Sequence, residues 1–236
     1  MRMTSPLEYL KIISRPARLA LRQYRAQAAA RRFHISLAPP NFMFQGARLS
    51  EQSVLIDVGC ADDADLSQLM IARFNLTAYG VDPTRKHALA LQTLEKKSAG
   101  HFHYVPLAVA AATGELVFHE SKENVSGSLR SDHHNVTRDT ITAYSVQSVT
   151  IPDLIARLGL KKVDYLKLDI EGAEYELVRQ ARAETFAAIT QILIEFHHHA
   201  VPSYTIADTD RAAATMRSFG YRSFSVDRTN YLFFKA

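Results

Sequence analysis

The segment Val163–Val178, VDYLKLDIEGAEYELV, most constrains what this chain can fold into. A short apolar run ends in two carboxylates, Asp169 and Glu171. Gly172 then lets the backbone turn, and a helical period follows. In an open parallel α/β sheet, ligands bind in the crevice beyond the carboxyl ends of the strands, so this order of residues presents acids to such a crevice. The pattern recurs upstream, where Val54–Val58 runs into Gly59 and Ala78–Val81 runs into Asp82. Three strand ends carrying acids point to one site.

Beyond residue 50 the chain alternates strand and helix periods. Strands are expected at 53–58, 77–81, 102–106, 163–169 and 191–196, with helices at 65–73, 85–97, 152–158, 173–182 and 208–219. Two further strand patterns, 115–119 and 143–150, flank a polar stretch, 120–142, that has no helical period. A terminal hairpin, 221–226 and 231–235, closes the chain around a DRTN turn. Such alternation predicts a mostly parallel, doubly wound sheet with helices on both faces and an antiparallel strand from the hairpin.

Charge divides the chain at the same place. Residues 1–50 hold nine Lys or Arg and one acid, a net +8, while the remaining 19 basic and 23 acidic residues sum to −4. The expected organisation is therefore a basic helical extension, 1–50, ahead of an α/β domain, 51–236. Ser14 can cap a helix on which Lys11, Arg15, Arg18, Arg22 and Arg25 share one face. That face suits a solvated surface packed on the domain, or peripheral contact with an anionic surface. The acidic domain argues against a nucleic-acid substrate, and no Asn/Asp-Pro-Pro-Tyr/Phe motif is present. A single cysteine, Cys60, rules out an intrachain disulfide. With no membrane-length apolar run and no secretory core at the N-terminus, a cytoplasmic location, at most peripheral to a membrane, is expected.

The turn after the first strand reads Gly59-Cys60-Ala61-Asp62-Asp63-Ala64, a degraded dinucleotide fingerprint. The Ala61 methyl stands where a pyrophosphate needs bare backbone, and Asp62, Asp63 and Asp65 would repel two phosphates. A cationic nucleoside fits better. S-adenosylmethionine carries a sulfonium and an ammonium group, and its ribose hydroxyls need a carboxylate acceptor. Asp82, at the end of the second strand, suits that role.

The segments IDVGCADDADL (56–66), YGVDP (79–83), VPLAVAAATGELVFHES (105–121), SVTIPDLI (148–155), DYLKLDIEGAEYELV (164–178) and ILIEFHHH (192–199) resemble the FkbM family of S-adenosylmethionine-dependent methyltransferases. The resemblance covers about residues 50–200, and KLDIEGAE is its most specific part. It implies a Rossmann-like class I methyltransferase fold, with a seven-stranded sheet whose last strand is antiparallel. It also implies methyl transfer to a hydroxyl on a sugar, glycan or polyketide-like small molecule. Asp57, Gly59, Cys60, Asp82, Pro83 and Ala108 are then the expected cofactor-binding residues. The family loop reads D-x-G-A-N-x-G. Here Ala61 replaces the Asn and Asp63 the second Gly, which narrows the space beside the cofactor and adds negative charge.

Asp169, Glu171, Glu195 and His197 are the candidates for the catalytic base or for substrate contact, with Asp169 central. His197 is attractive as a base because an ordinary imidazole titrates near neutrality. Adjacent residues at a strand end alternate direction, so His197, His198 and His199 cannot all face one ion. His197 with Asp169 and Glu195 could make a mixed N/O set for a divalent metal. The expectation is nevertheless a site without metal. His133 and His134 read as solvent-facing loop residues, and the 120–142 stretch as the determinant of the acceptor. Two other readings stay open. One is a non-catalytic glycan- or lipid-binding module on the same fold. The other is an NAD-dependent dehydrogenase, weakened by the missing Gly-rich loop and by the lack of a Tyr-x-x-x-Lys pair.

Overall fold

The computed structural model describes residues 27–235. The basic helix expected from Ser14 lies outside these residues. After helical residues 27–32, twelve strands and six further α-helices follow in the described part. In chain order they are β1 (Ser36–Ala38), β2 (Phe42–Phe44), β3 (Val54–Val58), α1 (Asp65–Phe74), β4 (Thr77–Val81), α2 (Ala88–Lys97) and β5 (Phe102–Val105). Next come β6 (Ala108–Val109), β7 (Gly114–Ser121), the single turn α3 (His134–Thr137), β8 (Ile141–Val149), α4 (Ile151–Arg157), β9 (Val163–Leu168) and α5 (Glu174–Gln180). The chain ends with β10 (Ile189–Glu195), α6 (Ile206–Ser218), β11 (Arg222–Phe224) and β12 (Asn230–Phe234).

Seven strands form one sheet in the order β11-β12-β10-β9-β3-β4-β5. All neighbours from β10 to β5 are parallel, and β12 alone runs antiparallel, to β10 on one side and β11 on the other. The order reverses between β3 and β9, which is the switch point where a crevice opens at the carboxyl ends of the strands. Period-two alternation sends successive side chains to opposite layers. Ile56, Leu166 and Ile192 face a core made with Leu154 of α4, Leu177 of α5 and Met216 of α6. Leu55, Tyr165 and Leu193 face the other, made with Leu66 and Met70 of α1 and Leu91 of α2. All six residues of β9 are buried, as expected of a central parallel strand.

Within the described residues, the segment 27–49 is not separate from this core. Phe42, Met43 and Phe44 are buried in the second layer. The Tyr165 hydroxyl donates to the Met43 carbonyl at 2.8 Å, and Gln191 Oε1 accepts the Gln45 N–H at 2.8 Å. In the described part of the expected extension, helical residues 27–32 lead into the β1–β2 hairpin, which packs on the domain. The basic composition hid this because the apolar run FMF is only three residues long.

The two strands expected around the polar stretch form an insertion between β5 and α4. β7 and β8 pair antiparallel from Gly114↔Ser148 to Ser121↔Ile141, and β6 adds in parallel to β8. The hairpin tip folds back, with a bridge between His119 and Ser128. It docks on the turn after β4. Lys86 Nζ donates to the Ser121 carbonyl at 2.6 Å and to that of Asn124, and the Arg85 guanidinium lies 3.9 Å over the Tyr144 ring. Among the described residues, no helix is long and apolar enough to cross a membrane.

Candidate active site

Gly59 closes β3 at the switch point. Its φ is +72°, and a Cβ there would sit 1.8 Å from the carbonyl oxygen of Asp169, at the end of β9. Only glycine allows the two strand ends to approach this closely. An open cleft of about 610 Å³ lies on one side of this junction, and Asp82, Pro83, Ala108, Ser126, Asp169 and Glu171 are among its lining residues. A second cavity of about 620 Å³ lies across the Gly59–Ala61 turn, edged by Asp63, Asp65, Lys167, Glu195 and Asn230. Gly59, Ala61 and Asp169 line both.

Asp82 is buried but keeps accepting capacity. Oδ1 takes the Thr84 N–H at 2.8 Å, and Oδ2 takes the Ala61 N–H at 3.1 Å with His87 Nδ1 3.3 Å away. A carboxylate offers about four acceptor positions, so capacity remains for a ligand hydroxyl. Asp57 is placed differently. It is fully buried, Oδ2 accepts from the Ser67 N–H at 3.2 Å and the Ser67 hydroxyl at 2.8 Å, and Oδ1 lies 3.7 Å from Lys167 Nζ. It fixes the start of α1 and does not line the cleft. Cys60 is buried, faces the second cavity, and burial pushes its thiol pKa well up, which keeps it un-ionised.

Lys167 ties the floor together. Nζ donates to the Gly59 carbonyl at 3.0 Å and pairs with Asp169 Oδ2 at 3.1 Å. Burial alone would lower its pKa, but Asp169 and Asp57 reverse this and keep it charged. Burial and the Asp169 charge raise the Glu195 carboxyl to about 7.

His197 sits among carboxylates. Nδ1 is 2.8 Å from Glu174 Oε1, and Nε2 is 3.4 Å from both Asp169 Oδ1 and Glu171 Oε2. Burial lowers an imidazole pKa, yet Glu174, Glu171 and Asp169 override it and raise His197 to about 10. The three carboxylates thus favour the protonated ring, in which Nε2 is a donor, over the free base expected of an ordinary imidazole. Burial pushes Glu171 up, while His133 and the His197 charge bring it down to about 2.

Three further residues take part, among them His133, which was expected to face solvent. His133 is buried at 1% exposure, with Nε2 2.9 Å from Glu171 Oε2. Its place depends on how the 120–142 stretch folds back, for which no local period exists. Glu174 resembles an ordinary first-turn acid, yet it is 0% exposed and holds His197. Ser128 donates its hydroxyl to the Glu171 carbonyl at 2.8 Å, steadying a residue with φ of +53°. Unbroken KLDIEGAE spacing was the available signal for Glu174, because it puts that side chain one helical turn from Ile170, whose N–H it accepts at 3.0 Å.

This strand order, with its crevice between β3 and β9 and one antiparallel strand near the edge, is the Rossmann-like class I methyltransferase fold. The methyltransferase FkbM domain model matches residues 48–223, and the chain belongs to that family. No curated protein sequence matches it. Among solved structures it is similar to the Methanococcus jannaschii fibrillarin pre-rRNA processing protein, at 8% identity and TM-score 0.47 over 88% of this chain and 72% of that one. It is also similar to Aeropyrum pernix fibrillarin with natively bound S-adenosyl-L-methionine, at 14% identity and TM-score 0.44 over 89% and 74%. A third similarity is to precorrin-6y C5,15-methyltransferase from Geobacter metallireducens, at 11% identity and TM-score 0.44 over 85% and 94%.

Proposed function

We propose that this methyltransferase-family domain binds S-adenosylmethionine in the cleft beside Asp82 and methylates a hydroxyl on a sugar, glycan or polyketide-like small molecule. The observation that carries the reading is the Asp82 carboxylate, buried at the end of β4 with acceptor capacity directed at a cleft. The donor set fits the cofactor. Asp82 suits ribose hydroxyls, Leu107, Val109 and Phe118 give an apolar wall for a base, and the acids around the junction tolerate a cationic ligand. Asp57 acts from behind, by holding the turn in place.

When bound, S-adenosylmethionine supplies a methyl group on a sulfonium. The chain's own contribution is positioning, which can supply much of the rate in such a displacement. Asp169, lining both cavities, is placed to orient an acceptor hydroxyl. Glu195, raised to about 7 by burial and the Asp169 charge, lines the second cavity and meets the cleft only through the shared Asp169. His197 and Lys167 hold the neighbouring carboxylates in place. The hairpin tip around Ser126 selects the acceptor.

Calorimetric titration with S-adenosylmethionine and S-adenosylhomocysteine tests the cofactor assignment. Micromolar binding is expected, weakened roughly 10-fold or more in Asp82→Asn, because a hydrogen bond to a charged acceptor contributes about 1.5–3 kcal/mol. No binding by the folded wild-type protein would overturn the reading and favour a non-catalytic module.

A further inference from the structure

We propose that Asp169, Glu171 and His197 form a binding site for one divalent first-row transition ion of the Mn²⁺ or Zn²⁺ type. Asp169 Oδ1 and Glu171 Oε2 each lie 3.4 Å from His197 Nε2, and one ligand atom from each of the three residues lies within 4.8 Å of the others. A separation of 3.4 Å is long for an N–H···O hydrogen bond, whose usual range is about 2.7–3.2 Å. It matches ligand atoms placed tetrahedrally about 2.0–2.2 Å from a common ion, which stand about 3.3–3.6 Å apart.

The surroundings are those of an outer shell. His197 Nδ1 is engaged by Glu174, which leaves Nε2 facing the two carboxylates, and Lys167 holds Asp169 by Oδ2, leaving Oδ1 inward. A carboxylate on the far nitrogen of a ligating histidine is the usual way such a ring is oriented. His133 provides an independent observation. Its Nδ1 accepts the Asn135 N–H at 3.1 Å, so the ring proton of the neutral form is on Nε2. That N–H is buried and aimed at Glu171 from 2.9 Å, yet it lacks an aligned partner. With its proton on Nε2, this ring stands beside Glu171 and is not a fourth ligand. An imidazole beside two carboxylates favours a first-row transition ion over Mg²⁺ or Ca²⁺.

On binding, the ion takes the place of the Nε2 proton of His197, which passes to solvent. Asp169 and Glu171 both line the cleft, so remaining coordination positions open towards it. What the ion does there rests on the reading above: it would hold the acceptor hydroxyl and lower its pKa. The binding itself does not depend on methyl transfer.

The test uses the tag-free, chelator-stripped full chain, titrated with Mn²⁺ (free-ion paramagnetic resonance) and with Zn²⁺ against a chromogenic chelator. One ion per chain is expected, weakened at least 10-fold in both Glu171→Gln and Asp169→Asn and unchanged in His198→Gln, whose ring bonds Thr209. Thermal unfolding of each variant checks that it is folded. Loss of binding in His198→Gln with retention in Glu171→Gln would assign the ion to His198 and its neighbour His199 and overturn the proposal, as would no stoichiometric binding by the folded wild type. S-adenosylhomocysteine titrated into the same samples separates the two readings. Ion binding without nucleoside binding retains this site and sinks the cofactor assignment; the reverse sinks this site alone.

Discussion

At Gly59 a hydrogen stands where any other residue would place a carbon 1.8 Å from the Asp169 carbonyl. Ala61 and Ala64 provide an internal comparison. Both hold left-handed backbone, at φ of 57° and 45°, and the fold tolerates them at a cost of roughly 1–2 kcal/mol each. Gly59→Ala should cost more than that, because it adds the collision with Asp169 to the same backbone strain. Urea unfolding would measure the loss, and nucleoside binding should disappear with it; a variant as stable as wild type would show that the junction can open. The residue scale is also where sequence was least informative. Asp169, Glu171 and Asp82 could be placed at strand ends from pattern alone. The company kept by His197 could not, since Glu174 reaches it from a helix, and together with Glu171 and Asp169 it raises the imidazole pKa.

Among the elements, the parallel strands were legible to within a residue or two at their ends, because apolar runs bounded by turn residues leave few alternatives. The β7–β8 hairpin was legible as two strands, but its tip was not. The tip is held by long-range polar contacts that no local period encodes. Arg130 pairs with Asp132 at 2.8 Å and donates to Ser203 at 2.9 Å, joining the tip to the segment before α6. The Arg130 hydrogen bond holds the Asp132 carboxyl below its usual range. A carboxylate whose pKa is lower folded than unfolded stabilises above its unfolded value, about 3.9, and that contribution is lost as pH falls through the folded one. The tip should therefore loosen below about pH 3.9. Pepsin cleavage within residues 120–142 should rise between pH 4 and pH 2.5, and rise less in Asp132→Asn, which lacks the titrating group. Equal pH dependence in both proteins would remove Asp132 from the explanation.

For the whole molecule, the question is where the domain begins. Phe44 is fully buried and packs edge-on against Phe74 at 6.0 Å between centroids. Phe44→Ala should cost about 3–5 kcal/mol, as for other large-to-small changes of buried aromatic rings. If denaturant unfolding showed a loss under 1 kcal/mol, the hairpin would be an appendage and the boundary near residue 50 would stand. The turn from Gly59 to Ala61 has a different consequence. It is a partition one backbone thick between two chambers, and Asp169 belongs to both. A party wall of this kind cannot be rebuilt from one side only. Any substitution that reshapes one chamber through the wall alters the other, so the wall is a poor place for diversification. The hairpin tip touches just the first chamber, through Val125, Ser126 and Gly127. If the tip selects the acceptor as proposed, tip exchange would change it while leaving the shared wall untouched.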